Sequence, residues 1–178
     1  MKYLIGDIGN TSTKLCILNK EFKIFRSYEF QTNNIYKGSF LKKFLSNKLT
    51  KDLNKVFLFS SVVPKAFKEI KKKFKKSQYK FLEIKDFDLK KIIRINIKNK
   101  HRLGSDRIAN AIGVQKYKNC LVLDFGTATT FDVIKNGKYE GGVIAPGIKL
   151  SMKNLIKSTA LLPKINLSNH QRTYGKNT

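Results

Sequence analysis

No stretch of the 178 residues reads Gly-x-x-x-x-Gly-Lys-Ser/Thr, and no Gly-x-Gly-x-x-Gly follows an apolar run. The first absence excludes a P-loop and the second a Rossmann dinucleotide site. Uncharged apolar runs stay at strand length, far short of the roughly 20 residues of a membrane span. Around Met1, Lys2 and Tyr3 there is no apolar h-region or cleavage site, so the expectation is a cytoplasmic protein with no membrane partner. Cysteine occurs only twice, as Cys16 and Cys120, each inside an apolar strand pattern. These read as buried free thiols rather than a metal or redox centre.

Acidic residues are scarce as well, 12 against 37 Lys and Arg, for a formal net charge of +25. Clustered cations would suggest a nucleic-acid-binding module. Here the lysines are spread along the chain, and the densest run, residues 65–76, has apolar Ala66, Phe67, Ile70 and Phe74 at helical spacing. That is an amphipathic helix with a solvated lysine face. The charge therefore implies attraction for anionic substrates and loose adhesion to polyanions, with no specific nucleic acid. A composition of 41% apolar and 11% aromatic residues supports a folded globule.

What the chain does have is one short segment used twice. Apolar residues 3–5, then Gly6, Asp7, Ile8, Gly9, Asn10, Thr11, Ser12, Thr13 and Lys14 lead into a second apolar run. Residues 121–123, then Asp124, Phe125, Gly126, Thr127, Ala128, Thr129 and Thr130, do the same. Aligned on Asp-x-Gly, Asp7 falls on Asp124, Gly9 on Gly126 and Thr13 on Thr130. Apolar runs flanking a glycine turn read as a β-hairpin. Its tip gathers backbone N–H groups, hydroxyls and a carboxylate, a grip for phosphate and its cation. Either copy alone reads more readily as an ordinary hairpin. Two copies favour the grip, and they predict duplicated half-domains facing each other across a nucleotide.

Along the chain, residues 22–30 alternate as a third strand and 39–49 suit a helix. Residues 55–63 form a continuous apolar run, a strand buried on both faces, stopped by Pro64. Short strands at 81–84 and 92–97 precede a helix opened by Gly104, Ser105, Asp106 and Arg107. Asn136-Gly137 is a strong hairpin turn. The glycine-rich segment 141–147 is either a backbone wall for a ligand or a plain loop, and 151–161 is a helix. Alternating strands and helices make the class α/β. A half-domain boundary near 117–119 divides the chain into 1–118 and a partial second unit, 119–178.

These motifs, in this order, resemble those of type III pantothenate kinases, members of the acetate-kinase and actin-like ATPase superfamily. The resemblance covers essentially the whole chain. It implies duplicated ribonuclease-H-like half-domains, transfer of the γ-phosphoryl group of ATP to pantothenate as the first step of coenzyme A biosynthesis, Mg²⁺ with the ATP, a monovalent cation (K⁺ or NH₄⁺) and a homodimer. It makes Asp7, Ile8, Gly9, Asn10, Thr11, Ser12, Thr13 and Lys14 the first ATP loop, Thr127 a further ATP contact and Asp124 the monovalent-cation ligand. Gly104, Ser105, Asp106, Arg107 and Thr178 become pantothenate contacts, with Asp106 the proton acceptor. The residues alone favour a plainer role for Asp106, a helix N-cap with Arg107 as its ion-pair partner. Ahead of Gly104 the stretch 98–103 lacks the Tyr and Pro common in the family. A Bvg accessory factor-like regulator is the alternative of the same fold. The family's chains continue several dozen residues past Gly175, Lys176, Asn177 and Thr178. The second half-domain is therefore expected to be incomplete, one sheet face uncovered, and these 178 residues alone inactive and marginally folded in their last third.

Overall fold

The structure, a computed structural model, describes residues 1–46 and 52–160. Two sheets carry it. In the first, β1 (Lys2–Ile8), β2 (Ser12–Leu18) and β3 (Ile24–Gln31) form an antiparallel meander, and β4 (Leu53–Ser61) and β5 (Lys80–Glu83) join parallel on the far side of β1, in the order β3-β2-β1-β4-β5. Alternation along β1 turns Leu4 and Ile8 into a core with Leu15, Phe57 and Phe59. Helix α1 (Phe40–Ser46) adds Leu41 and Leu45 to it, and α2 (Pro64–Lys73) adds Ala66, Phe67 and Ile70. Pro64 starts α2, where its missing N–H costs nothing, and the helix keeps its lysines in water. Between those core positions Gly6 has no room for a side chain: a Cβ there would lie 2.3 Å from the Phe59 ring.

The other phase of the same alternation builds the opposite face. Register places Ile5 beside Cys16 and Leu58, and Asp7 beside Lys14 and Ser60. Those six residues form one wall of a cleft.

In the second sheet β7 (Cys120–Phe125), β8 (Ala128–Lys135) and β9 (Lys138–Pro146) repeat the meander, and the two-residue strand β6 (Arg94–Ile95) lies parallel against β9. Asn136 and Gly137 close the β8–β9 turn with φ of 51° and 69°, the positive pair that a type I′ turn requires. Helix α3 (Ser105–Gly113) packs against both β4 and β8 and so bridges the sheets. Its Ile108 and Ala111 enter a second core with Ile93, Ile95, Leu103, Ile134 and Tyr139. After β9 comes α4 (Ile148–Ser158).

Some elements differ from expectation. The strand anticipated at 92–97 shrinks to Arg94–Ile95, because β9 is its one neighbour and 3₁₀ turns on both sides bend the chain toward α3. The glycine-rich segment is mostly strand rather than loop, since β9 pairs with β8 through Gly141 and Gly142 around a bulge. Helix α4 begins at Ile148, three residues early, capped by Gly147. Both cysteines are free but half-buried, not enclosed. Helix positions 47–49 and 161 lie outside the described residues. No described helix is long and apolar enough to cross a membrane.

Candidate active site

The two hairpin tips meet. Thr11 Oγ1 and Thr127 Oγ1 are 2.8 Å apart across 116 residues of sequence. Each tip is closed by its glycine: the Gly9 N–H donates to Ser12 O at 3.0 Å, and the Gly126 N–H to Ala128 O at 2.9 Å. Gly147, ahead of α4, donates its N–H to Thr127 O at 3.1 Å and steadies the second tip.

The tips are not identical. Asp7 faces Lys14 across its ladder, whereas Asp124 faces Thr130. The second loop is shorter by one residue, so the sequence alignment of Thr13 with Thr130 does not survive as a structural equivalence. The first tip carries a cation beside its carboxylate and the second carries a hydroxyl. Thr13 is fully buried. Thr32 Oγ1 spends its proton on Gly9 O at 2.7 Å, so Thr13 must donate to Thr32, 3.0 Å away. Thr13 and Thr32 thus brace the tip from the core side. Ile8 is likewise fully buried, which leaves it only its backbone to offer a ligand.

Helix α3 carries the third part. Gly104 is its N-cap. Asp106 is therefore not the cap; its Oδ1 accepts the Arg107 N–H at 2.8 Å, and no described cation closes an ion pair with it. Gly104 leaves room for this carboxylate: a Cβ there would stand 2.3 Å from Asp106 Oδ1 and would turn that side chain aside. Arg107 turns away from its neighbour and pairs with Asp132 on β8. Four residues on from Asp106, on the same helix face, Asn110 Nδ2 donates to Asp124 Oδ2 at 3.2 Å. Ser105 is buried. Thr178 lies outside the described residues.

Asp7, Asp106 and Asp124 converge on one cleft. The Asp7 side chain is open to solvent, yet the cleft walls hem it closely enough that desolvation raises its pKa above the usual 3.8. The Ser60 hydroxyl opposes the rise, approaching from the paired strand without closing a well-directed hydrogen bond. Repulsion from Asp106 and Asp124 adds to it and Lys14 subtracts. A cleft that gathers carboxylates in a chain so poor in them is suited to a hard cation. Among the described residues no three His, Cys, Asp or Glu side chains are close enough to hold a metal by themselves, so a cation there would share its coordination with a ligand's oxygens.

Two cavities open on this constellation. One, of about 350 Å³, is walled by Asp7, Lys14, Cys16, Ser60, Asn110 and Asp124. The other, of about 600 Å³, lies between α3 and β9 and is walled by Asn10, Lys98, Arg102, Gly104, Arg107, Thr130, Tyr139, Gly141 and Gly142 among others. Asp106 lines both, alone among their residues. A larger groove of about 910 Å³ between α2 and β5 is walled by Phe67, Phe74, Phe81, Glu83, Asp86 and several lysines and is lined by neither hairpin tip. Sequence reasoning passed over Thr32, Ser60, Asn110, Asp132 and Tyr139. Only Asp132 carried a signal, as a charged residue in the inward phase of the alternating strand 128–135.

Comparison with known proteins bears on the same cleft. The profile of the family described as type III pantothenate kinase matches residues 3–178. A type III pantothenate kinase of Pelagibacter ubique is 46% identical over 178 residues, covering 98% of this chain and 71% of the relative. One from Persephonella marina is 37% identical, covering 97% and 70%. Among solved structures, a Baf family protein from Campylobacter jejuni is 22% identical at a TM-score of 0.53, covering 96% of this chain and 68% of that one. The ethanolamine utilization protein EutJ from Carboxydothermus hydrogenoformans is 12% identical at the same TM-score, covering 89% and 57%. These two likenesses are of fold.

Proposed function

The chain belongs to the type III pantothenate kinases, and from that premise we propose that its cleft passes the γ-phosphoryl group of ATP to the primary hydroxyl of pantothenate with Asp106 as proton acceptor. The carrying observation is that Asp106 stands where the two cavities join. The smaller cavity, with Asp7, Lys14 and Asp124, takes the phosphates. The larger, under Arg107 and β9, takes pantothenate. A hydroxyl entering from the acceptor side then meets the carboxylate beside the phosphoryl group it attacks. Its oxygen bonds to phosphorus, the bond to ADP breaks, and its proton passes to Asp106.

With the Gly9 N–H closing the tip, the backbone N–H groups from Asn10 to Ser12 and the hydroxyls of Thr11 and Thr127 supply the phosphate grip. The 2.8 Å contact between those hydroxyls is the position from which they part to admit a ligand. Ile8 and Thr13 support this loop from the core. Asp7 would face the Mg²⁺ that accompanies ATP, which would neutralise phosphate charge there. Asp124, held by Asn110, is the ligand for K⁺ or NH₄⁺. Gly104, Ser105 and Arg107 shape the acceptor end, and Thr178 is its further contact. The two meanders β1–β2–β3 and β7–β8–β9 are read as the duplicated hairpin units of actin-like half-domains, 1–118 and 119–178, with residues 93–111 packing in the second core. A cytoplasmic homodimer with neither nucleic-acid nor membrane partner completes the proposal.

A coupled assay of ADP release by the full-length protein, run with Mg²⁺ and K⁺ or NH₄⁺, tests this reading. Turnover that requires pantothenate supports it, and pantothenate-independent or absent turnover from folded protein overturns it.

A further inference from the structure

A carboxylate on the core face of β8 is left half-satisfied beneath the acceptor cavity. Asp132 is fully enclosed. Its Oδ1 accepts the Arg107 Nε–H at 2.6 Å and the Tyr139 hydroxyl at 2.8 Å. Arg107 Nη2 is also 2.6 Å from that oxygen, but off the hydrogen-bonding direction. Oδ2 has no hydrogen-bond partner among the described residues. A buried carboxylate with one oxygen unserved costs folding free energy that a well-packed apolar pair would not, so stability alone does not account for it.

The surroundings commit to the same guanidinium. The Phe131 carbonyl oxygen, 2.0 Å from where a Cβ would stand, holds Gly142 to a bare Cα, and that leaves room beside β9 for Arg107 Nη2. The Tyr139 ring lies 5.9 Å from Arg107 Cζ. The Arg107 side chain keeps 11% of its surface open and lines the acceptor cavity. Three elements, α3, β8 and β9, thus fix one planar cation on the wall where the acceptor enters, a task that a lysine's point charge would not perform.

We propose that Asp132 and Tyr139 are positioning residues for phosphoryl transfer: acting through Arg107, they hold its guanidinium in place for the acceptor. This rests on the kinase reading of the cleft. Asp132→Asn keeps the shape and removes the charge. Its KM for pantothenate rises about tenfold while the KM for ATP stays within about twofold, and Tyr139→Phe moves the same constant by less. In an Arg107→Ala background Asp132→Asn adds nothing further, since its effect passes through that side chain. A second readout needs no activity: in the ligand-free protein the ¹⁵N-labelled Arg107 Nε–H signal is protected from solvent exchange, and Asp132→Asn removes the protection. If Asp132→Asn does not fold, Tyr139→Phe carries both measurements. Should the wild type turn over no pantothenate, the kinase reading falls and the arginine signal still decides the clamp. Parallel rises in both KM values, effects that multiply with Arg107→Ala, or an unprotected Arg107 Nε–H in the wild type overturn it.

Discussion

Two aspartates of the cleft differ in what their surroundings ask of them. Asp106 lines two cavities and has no ion-pair partner among the described residues, which suits the proposed role of proton acceptor. Asp106→Asn removes that capacity and keeps the shape, lowering kcat by roughly 10²–10⁴ with ATP affinity nearly unchanged. Steady-state kinetics would show it, and near-normal turnover would reduce Asp106 to an ornament of the helix start. Asp7 is different, because desolvation first, then Asp106 and Asp124, raise its pKa. An acid whose folded pKa exceeds its unfolded value binds protons more tightly in the fold. The ionised form therefore weakens the fold above the raised pKa, and that penalty is relieved as pH falls through it toward the unfolded value of 3.8. Asp7→Asn should consequently melt slightly higher than wild type at neutral pH, while losing activity, and the gap should close in mildly acid buffer. Thermal melts at several pH values measure this; a gap that widens on acidification contradicts it.

At the scale of elements, the cleft is an outcome of strand alternation. One phase of β1, β2 and β4 packs the first core and the other carries Asp7, Lys14 and Ser60. Gly6 is the joint between them, with the Phe59 ring and Leu15 where its side chain would stand. Gly6→Ala should cost about 1–3 kcal/mol by overpacking, read from urea denaturation as a lowered midpoint at unchanged m-value. An unchanged midpoint would mean that the ring rotates away freely. Helix α3 delivers Asp106 and Asn110 to the cleft and Ile108 and Ala111 to the second core, which ties the proposed proton acceptor to both sheets.

For the whole molecule, the described residues leave much of one face of the second sheet open. Ile134, Tyr139 and α3 fill the inner face, while Leu121, Leu123, Val133 and Val143 face outward, between 41% and 63% exposed. Strand β7 has no neighbour beyond β8 on its free edge among the described residues. An apolar face beside an open edge favours association. These residues should bind a hydrophobic dye and self-associate, and Leu121→Lys with Val143→Thr should reduce both without altering the melt of the first sheet. Dye fluorescence and light scattering decide it. The net charge of +25 acts over the whole surface. Duplex DNA should adhere at low salt and let go by about 200 mM, as diffuse lysine contacts do; micromolar binding retained there would reveal a dedicated nucleic-acid surface instead.

The sequence by itself determined the hairpins, the Asn136-Gly137 turn, the lysine-faced helix after Pro64 and the α/β class. Each of these is written in local alternation, a turn glycine or a helical period, and backbone geometry reads such signals within a few residues. It also placed the motif residues of the cleft, because the Asp-x-Gly tips and the Gly104 to Arg107 helix start are contiguous. Only the tertiary structure decided what those residues face. Arg107 passes over the adjacent Asp106 for Asp132, 25 positions away, because burial on the core face of β8 leaves that carboxylate in need of a cation. One residue fewer in the second loop gives Asp124 a threonine opposite it, where Asp7 has Lys14. Asp106 becomes the junction of two cavities because α3 is wedged between two separate cores, and no spacing along the chain records that packing.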